Sequence, residues 1–573
     1  MWVGSALGAT YNIGPGQTYT TFTLLIATEN LAAGDIVDGG LNPFSEVWDP
    51  DGSGSSGAGN QITLRNATIL GGGARANCVN VGDDDYILLQ NLTCSGATGP
   101  EVVITSSAAG TEIDSCTITS SAGRGVQTES PVYMHDSTLT TTAASELFYS
   151  LQGNASDLVT LTDNDFINNG NQTTVFIRGD GDHQISGGSV AFNSGTAWSF
   201  VYTYNGADTE SGTVNVSDVA MTTAIKTAFS PIEIKRGTWD VDIDNFRYTS
   251  AVATEDEPVI DIDNQAAPII TNCEIITYVS IAHILLSSTL GNASGTAEIT
   301  DNALTVTNGS TNYMIQVGTE GTGAGDNDLD GTIITGNNLT GADSTGSTHA
   351  ILVGYNQDAV IEKNIISNSG FGIVLKGTEG KTEYTSGGVK SNVINSCGSG
   401  IRIKGVDDVD IFNNTVSDSL STGAITITDN VGADPSTGCV LKNNILSSTG
   451  AYAVLLVEDT STILTTDYSN NCLYSAAANI VVYQGVSKTY ATWVSDGYDS
   501  GSINADPLFV NASESNFYLL AGSPAIWAGT DVSITNDLDG RAYNNPTPSM
   551  GVYEFAGHGA SGQGSGGMSL GLD

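Results

Sequence analysis

The sequence predicts an all-β fold, a right-handed parallel β-helix (solenoid) with an N-terminal cap. Three observations carry this. From about residue 60, one pattern recurs: a short apolar strand, one or two Asn or Asp, then a second apolar pair. Its period lies in the twenties, the size of one supersecondary unit. The composition is also uniform along 573 residues, with Gly, Ser, Thr, Asn and Asp throughout. Such uniformity suits a chain in which each repeat buries its apolar face only against its neighbours.

The coils are clearest at 361–366 (IEKNII), 389–394 (VKSNVI), 411–416 (IFNNTV) and 441–446 (LKNNIL). Asn337, Asn364, Asn392, Asn414, Asn444 and Asn471 are separated by 27, 28, 22, 30 and 27 residues. Fainter copies run upstream through Asn66, Asn91, Ser115, Asp136, Asn164, Asn245, Asn272 and Asn302. Asn tolerates the left-handed conformation of a sharp bend. Stacked Asn side chains can also hydrogen-bond from coil to coil as a ladder. No 3.6-residue apolar stripe fits between these positions, which excludes helical repeats. Propeller blades need about 40 residues each.

Residues 1–60 read as the cap. Within them, 21–27 (TFTLLIA) predict a short amphipathic helix, with Gly34 as a stop. A plug of this kind covers the core and strand edges that an end coil would expose. Coils occupy 61–502, a distinct segment 503–556, and a Gly/Ser-rich tail 557–573. That tail ends on Met568, Leu570 and Leu572, a small apolar patch expected to dock on a partner or a neighbouring copy.

The chain has 17 Lys+Arg against 62 Asp+Glu, a formal charge of −45. Such a charge keeps a large particle soluble and argues against nucleic acid, which needs basic phosphate contacts. It also disfavours acidic glycans unless Ca²⁺ bridges the two. The seven Cys are too few and too scattered for a disulfide framework. Cys78, Cys94, Cys116, Cys273, Cys397 and Cys472 sit in or beside short apolar strands and read as buried small hydrophobes. The first residues, MWVGSALGATYNIG, lack the basic and apolar regions of a signal peptide. No apolar run is long enough to span a membrane.

Near the C-terminus the chain carries DPLFV at 506–510, NFYL at 516–519, GSPAI at 522–526, DLDGR at 537–541 and MGVYE at 550–554. This order resembles the C-terminal segment of many bacterial extracellular and phage surface proteins with right-handed β-helices, in the pectin-lyase-like superfamily. The resemblance implies architecture. It leaves activity open, since that superfamily includes lyases, hydrolases, epimerases, adhesins and phage spikes. Polygalacturonase-like members end their catalytic signature with Gly-His-Gly and then Arg-Ile-Lys. Here Arg402-Ile403-Lys404 precedes Gly557-His558-Gly559, the wrong order.

Three groups of candidate site residues stand out. Alternation puts Asp242 and Asp244 on one outward face. Asp261 and Asp263 are expected on the next coil beside them, with Lys235 as a base and Trp239 as a sugar platform. Stacked carboxylates can bind Ca²⁺ or act as an acid/base pair on a glycan; a solvated acidic face is the alternative reading. Asp326, Asp328 and Asp330, followed by Gly331, match the first half of a Ca²⁺ loop, although Asn337 stands where the last carboxylate belongs. A metal-free Asp-rich turn is the alternative there. Arg178-Gly179-Asp180 is expected by chance in so Gly/Asp-rich a chain.

The function expected first is a phage virion surface protein: a spike, fibre or capsid-decorating protein that presents the β-helix and binds glycans. A homotrimer and other virion proteins are the expected partners, at the virion surface or outside the cell. A secreted polysaccharide lyase or glycoside hydrolase, and a non-catalytic adhesin, are the alternatives. No cofactor is required; structural Ca²⁺ is the one metal for which the Asp-rich segments offer candidate ligands.

Overall fold

The computed structural model describes residues 9–49, 61–82, 84–105, 108, 110–142, 144–152, 157–193, 198–203, 210–223, 229–235, 237–250, 257–263, 265, 267–278, 281–287, 296–307, 313–318, 329–354, 358–377, 382–418, 423–429, 435–450, 452–458, 463–498 and 501–556. The chain forms two compact units. The first comprises 1–333, 337–343 and 347–356; the second comprises 334–336, 344–346 and 357–573.

In the first unit each coil contributes one short strand to each of three parallel sheets. Thr111–Asp114, Thr117–Ser120 and Val126–Thr128 make one coil; Val132–His135, Thr138–Thr141 and Phe148–Ser150 make the next. Equivalent residues stack in register, as Ile113 on Met134, Ile118 on Leu139 and Val126 on Phe148. These inward residues are fully or almost fully buried. Alternate residues point outward, the two-residue period of a strand. The predicted cap helix spans Phe22–Thr28, and the Thr21 side chain accepts from Leu24 N. The carboxylate of Glu46 takes the N–H groups of Phe22 and Thr23, two further donors that a helix start leaves unpaired. Phe22 and Leu25 are buried, and Phe22 packs on Phe44 with ring centroids 4.6 Å apart. Parallel pairing already runs through Thr10–Asn12 and Ile36–Asp38 into Ile62–Arg65.

The second unit repeats the plan. Gly388–Lys390, Val393–Asn395 and Ser399–Lys404 stack on the coil before and on Asp410–Phe412, Thr415–Ser417 and Ile425–Thr428 after. Val481–Tyr483 then turns into an antiparallel pair with Val486–Lys488. The helix Tyr490–Ser495 follows, and its buried Trp493 stacks on Tyr498 at 4.0 Å.

Residues 503–556 fold back onto the coils of the same unit. Leu519, Ala525 and Met550 cluster with Ile445 and Cys472; Phe517 and Val552 pack on Val393. The residues that carry the family resemblance knit this segment together. Asp537, fully buried, accepts the N–H groups of Asp539, Arg541 and Glu554. Glu554 accepts from the N–H and hydroxyl of Ser549.

The bend between first-sheet and second-sheet strands uses two consecutive positions. The first adopts the left-handed conformation: Asn66 (φ 54°), Asn91 (φ 50°), Ser115 (φ 54°), Asp136 (φ 52°), Asn245 (φ 50°) and Asn272 (φ 53°) all sit there, exposed or half-buried. The second points into the core. Asn164, Asn302, Asn337, Asn364, Asn392, Asn414, Asn444 and Asn471 sit there, all buried. The expected single series of Asn-like residues is therefore two adjacent series. In the second unit the inner series makes an unbroken ladder. The Nδ2 groups of Asn364, Asn392, Asn414 and Asn444 each donate to Oδ1 of the next Asn, at 3.0 Å. All seven cysteines are free and buried.

Candidate functional site

The third sheet of the first unit builds the site. Its strands Val126–Thr128, Phe148–Ser150, Val175–Ile177, Val201–Thr203, Ile232–Ile234 and Ile260–Asp263 each turn their second residue away from the core. Register then lines up Gln127, Tyr149, Phe176, Tyr202, Glu233 and Asp261 in one row, each paired with the next. Neighbouring strands stand about 4.8 Å apart, so the row offers one side chain per coil along the solenoid.

Aromatic rings fill the first part of this row. Tyr149 and Phe176 stack at 5.4 Å and 14°, and Tyr202 meets Phe176 edge-on at 5.4 Å. Phe229 lies 6.4 Å from Tyr202 and 4.6 Å from Trp198, which broadens the surface. Tyr149 is covered by the Arg124 guanidinium, 3.5 Å from its ring centroid, and Arg124 is paired with Glu146 at 3.0 Å. Phe176, Tyr202, Trp198 and Phe229 remain half-buried.

The row then changes character. Lys235 Nζ lies 3.0 Å from Glu233 Oε1 and 2.9 Å from Asp261 Oδ2. The Ser199 hydroxyl donates to Glu233 Oε2 at 3.3 Å. Burial pushes both carboxyls above the usual carboxylate range, and Lys235 offsets that only in part. Burial pulls the Lys235 ammonium down, but the charges of Asp261 and Glu233 more than reverse it and hold it protonated. The result is a fixed ammonium flanked by two buried carboxyl groups beside half-buried rings. These groups can donate to and accept from the hydroxyls of a ligand whose apolar face rests on the rings.

Some expected site residues come together and others do not. Lys235 and Asp261 meet as paired charges. Asp242 and Asp244, however, lie on the first sheet, where Asp242 pairs with Asn215 and Ile269. Asp261 and Asp263 lie on the third sheet, and Asp261 pairs with Glu233 and Leu285. The expected stack of four carboxylates therefore does not form. The reason is coil length: the residues one coil from Asp242 are Asn215 and Ile269, not a residue 19 places on. Asp244 instead accepts from Thr271 Oγ1 and Asn272 Nδ2, and Asp263 accepts from Ser287 Oγ. Trp239 is no sugar platform, because it points inward with 2% of its surface exposed, edge-on to His183. Asp330 is exposed at a turn, whereas Asp326, Asp328, Met568, Leu570 and Leu572 lie outside the described residues. Glu233 belongs to the same segment as Lys235 but carried no expected role, and the rings of Tyr149, Phe176 and Tyr202 were not anticipated. Their signal was available, since the three rings follow one another at 27 and 26 residues, the period of the coils.

Residues 324–496 match the family described as right handed beta helix region. The fold is a right-handed parallel β-solenoid. Among solved structures, the A-module of the mannuronan C-5 epimerase AlgE6 from Azotobacter vinelandii is similar at 10% identity and a TM-score of 0.21, covering 82% of this chain and 91% of that one. No curated protein matches the chain. Among the described residues, no helix is long and apolar enough to cross a membrane.

Proposed function

We propose that this chain is a glycan-binding surface protein, of the virion or extracellular kind that its composition suggests, and that it holds a saccharide along the third sheet of its first unit. The row of rings ending on Glu233, Lys235 and Asp261 supports this reading. A saccharide chain lying along the solenoid would meet one ring per coil with its C–H face. It would reach the ammonium and carboxyls with its hydroxyls. The charge of −45 repels polyanions, so neutral or amino-sugar polymers are the favoured class.

Affinity electrophoresis through gels containing a panel of neutral, amino-sugar and acidic polysaccharides tests the proposal. Retardation by a neutral or amino-sugar polymer is expected. Tyr202→Ala should weaken it about tenfold, about 1.4 kcal/mol, near the upper range for one ring contact. No retardation by any polymer, or equal retardation of Tyr202→Ala, would sink the idea. Release of reducing ends from the bound polymer, lost in Glu233→Gln, would make the protein a hydrolase as well as a binder.

A further inference from the structure

We infer that the first sheet carries a divalent-cation site made of His135, Asp114 and Asp136, with Glu112 as its orienting residue. The site stands apart from the ring row and does not depend on it.

The register creates it. Thr111–Asp114 and Val132–His135 are adjacent parallel strands, in which Asp114 pairs with His135 and Glu112 with Tyr133. All four side chains are outward by alternation. Asp136 follows at the left-handed bend, which turns its carboxylate back beside the ring. One oxygen or nitrogen from each of Asp114, His135 and Asp136 lies within 4.8 Å of the others. A tetrahedral ion with bonds of about 2.1 Å holds its ligands about 3.4 Å apart. Here His135 Nδ1 is 2.9 Å from Asp136 Oδ2 and 3.6 Å from Asp114 Oδ1, close to that spacing.

The imidazole is turned toward carboxylates at both of its nitrogens. Its Nε2 faces Glu112 Oε1 at 3.1 Å, an acceptor that places a hydrogen on that nitrogen. Glu112 is itself held by Gln61 Nε2 at 2.9 Å. The ring's Nδ1 faces Asp136 Oδ2 at 2.9 Å and Asp114 Oδ1 at 3.6 Å, so that nitrogen also carries a proton in the metal-free chain. A divalent cation would take that proton's place between the same two anions. A carboxylate on the far ring nitrogen is the second-sphere device that orients metal-bound histidines. Tyr133 stacks on the ring at 4.6 Å and 26° and limits its rotation. Gln90 Nε2 and the Ser115 hydroxyl donate to Asp114, at 2.7 and 2.6 Å, and fix that carboxylate. An imidazole nitrogen with two carboxylate oxygens favours borderline ions such as Zn²⁺ or Co²⁺ over Ca²⁺. Three protein ligands leave at least one position open to water or a small anion.

Titration of the metal-free full chain with Zn²⁺ by calorimetry, and with Co²⁺ by absorption, tests the inference at neutral pH. One equivalent is expected at this site. His135→Ala should abolish it, and Glu112→Gln should weaken it about 10- to 100-fold. Zn²⁺ should raise the melting temperature of the wild type but not that of His135→Ala. A variant-free measurement guards against misfolding: Co²⁺ should displace the ring proton resonances of one histidine in the intact protein. Absence of Zn²⁺ binding at millimolar concentration, equal binding by a folded His135→Ala, tighter binding of Ca²⁺ than of Zn²⁺, or unshifted histidine resonances would each overturn it.

Discussion

The first coils of the first unit and the coils of the second unit solve the same bend differently. From Asn364 to Asn471 in the second unit, the inner bend position is Asn in every coil, and the amides bond to one another without a break. In the first coils of the first unit, the same position holds Ala67, Leu92, Cys116 and Ser137, all buried. Both choices follow a left-handed residue, so the bend itself does not require the ladder. What the ladder supplies is pairing for buried backbone carbonyls: Asn414 Nδ2 also donates to Val389 O, and Asn444 Nδ2 to Ile411 O. The first coils rely on close packing around Ala67 and Leu92, while Ser137 Oγ accepts from Cys116 N and donates to His135 O. The lesson is that a solenoid can exchange a polar spine for an apolar one, provided that neighbouring coils agree.

The largest effect is expected from breaking that agreement. Asn414 accepts from Asn392 N and Nδ2 and donates to Asn444 and Val389. Asn414→Leu strands several buried polar groups at once and should cost about 3–5 kcal/mol. Hydrogen exchange of the strands Asp410–Phe412 and Thr415–Ser417 would register it. The reciprocal Leu92→Asn places an amide between Ala67 and Cys116, where no ladder can accept it. A second unit that keeps its exchange protection in Asn414→Leu would show that the ladder is ornamental.

Acid should separate the units next. Burial pulls the imidazolium of His183 down to about 4 and that of His283 down to about 3. Both rings are neutral in the folded chain. His183 Nε2 accepts from the Ser150 hydroxyl, while His283 Nε2 meets Thr277 Oγ1. Since the folded values lie below the ordinary 6.5, their contribution is complete above pH 6.5. It is lost as pH falls toward 4, at about 1.4 kcal/mol per pH unit for each histidine. Among the described residues, every histidine belongs to the first unit. That unit should therefore lose protection first on acidification, and His183→Gln with His283→Gln should flatten the difference. Simultaneous loss in both units would contradict it.

The smallest effect concerns the outer position. Asn91 Nδ2 donates to Asn66 Oδ1 at 2.7 Å on the surface. Asn91→Ala should cost only about 1 kcal/mol, chiefly the strain of a left-handed Ala, and Asn91→Gly less. A melting shift as large as that of Asn414→Leu would mean that the two series are energetically alike after all.

Much of this comparison could be read from the chain itself. The period of 361–471 is visible because ladder residues must all be Asn, and identity is easy to see. In the coils of Ala67, Leu92 and Cys116 the inner position is apolar, so the recurrent polar residue is the Asn or Ser of the bend one place earlier. That is how Asn91 and Asp136 came to stand in one series with Asn364. The ring row was hidden for a related reason. Tyr149, Phe176 and Tyr202 are unremarkable singly and meaningful only once counted by coil. Trp239 was misplaced although alternation alone puts it opposite Asp240 and Asp242. The partnership of Lys235 with Asp261 follows from the same count, since Asp261 lies one coil from Glu233.

The buried thiols have a use of their own. Burial pushes Cys116 and Cys273 in the first unit, and Cys397, Cys439 and Cys472 in the second, up to about 12. At neutral pH only on the order of one such group in 10⁵ is a thiolate, and it is shielded from reagents. Alkylation can then proceed only when a coil opens. The natural chain thus carries chemical reporters at intervals along both units, and mass spectrometry of the labelled peptides would read coil by coil how often each one breathes.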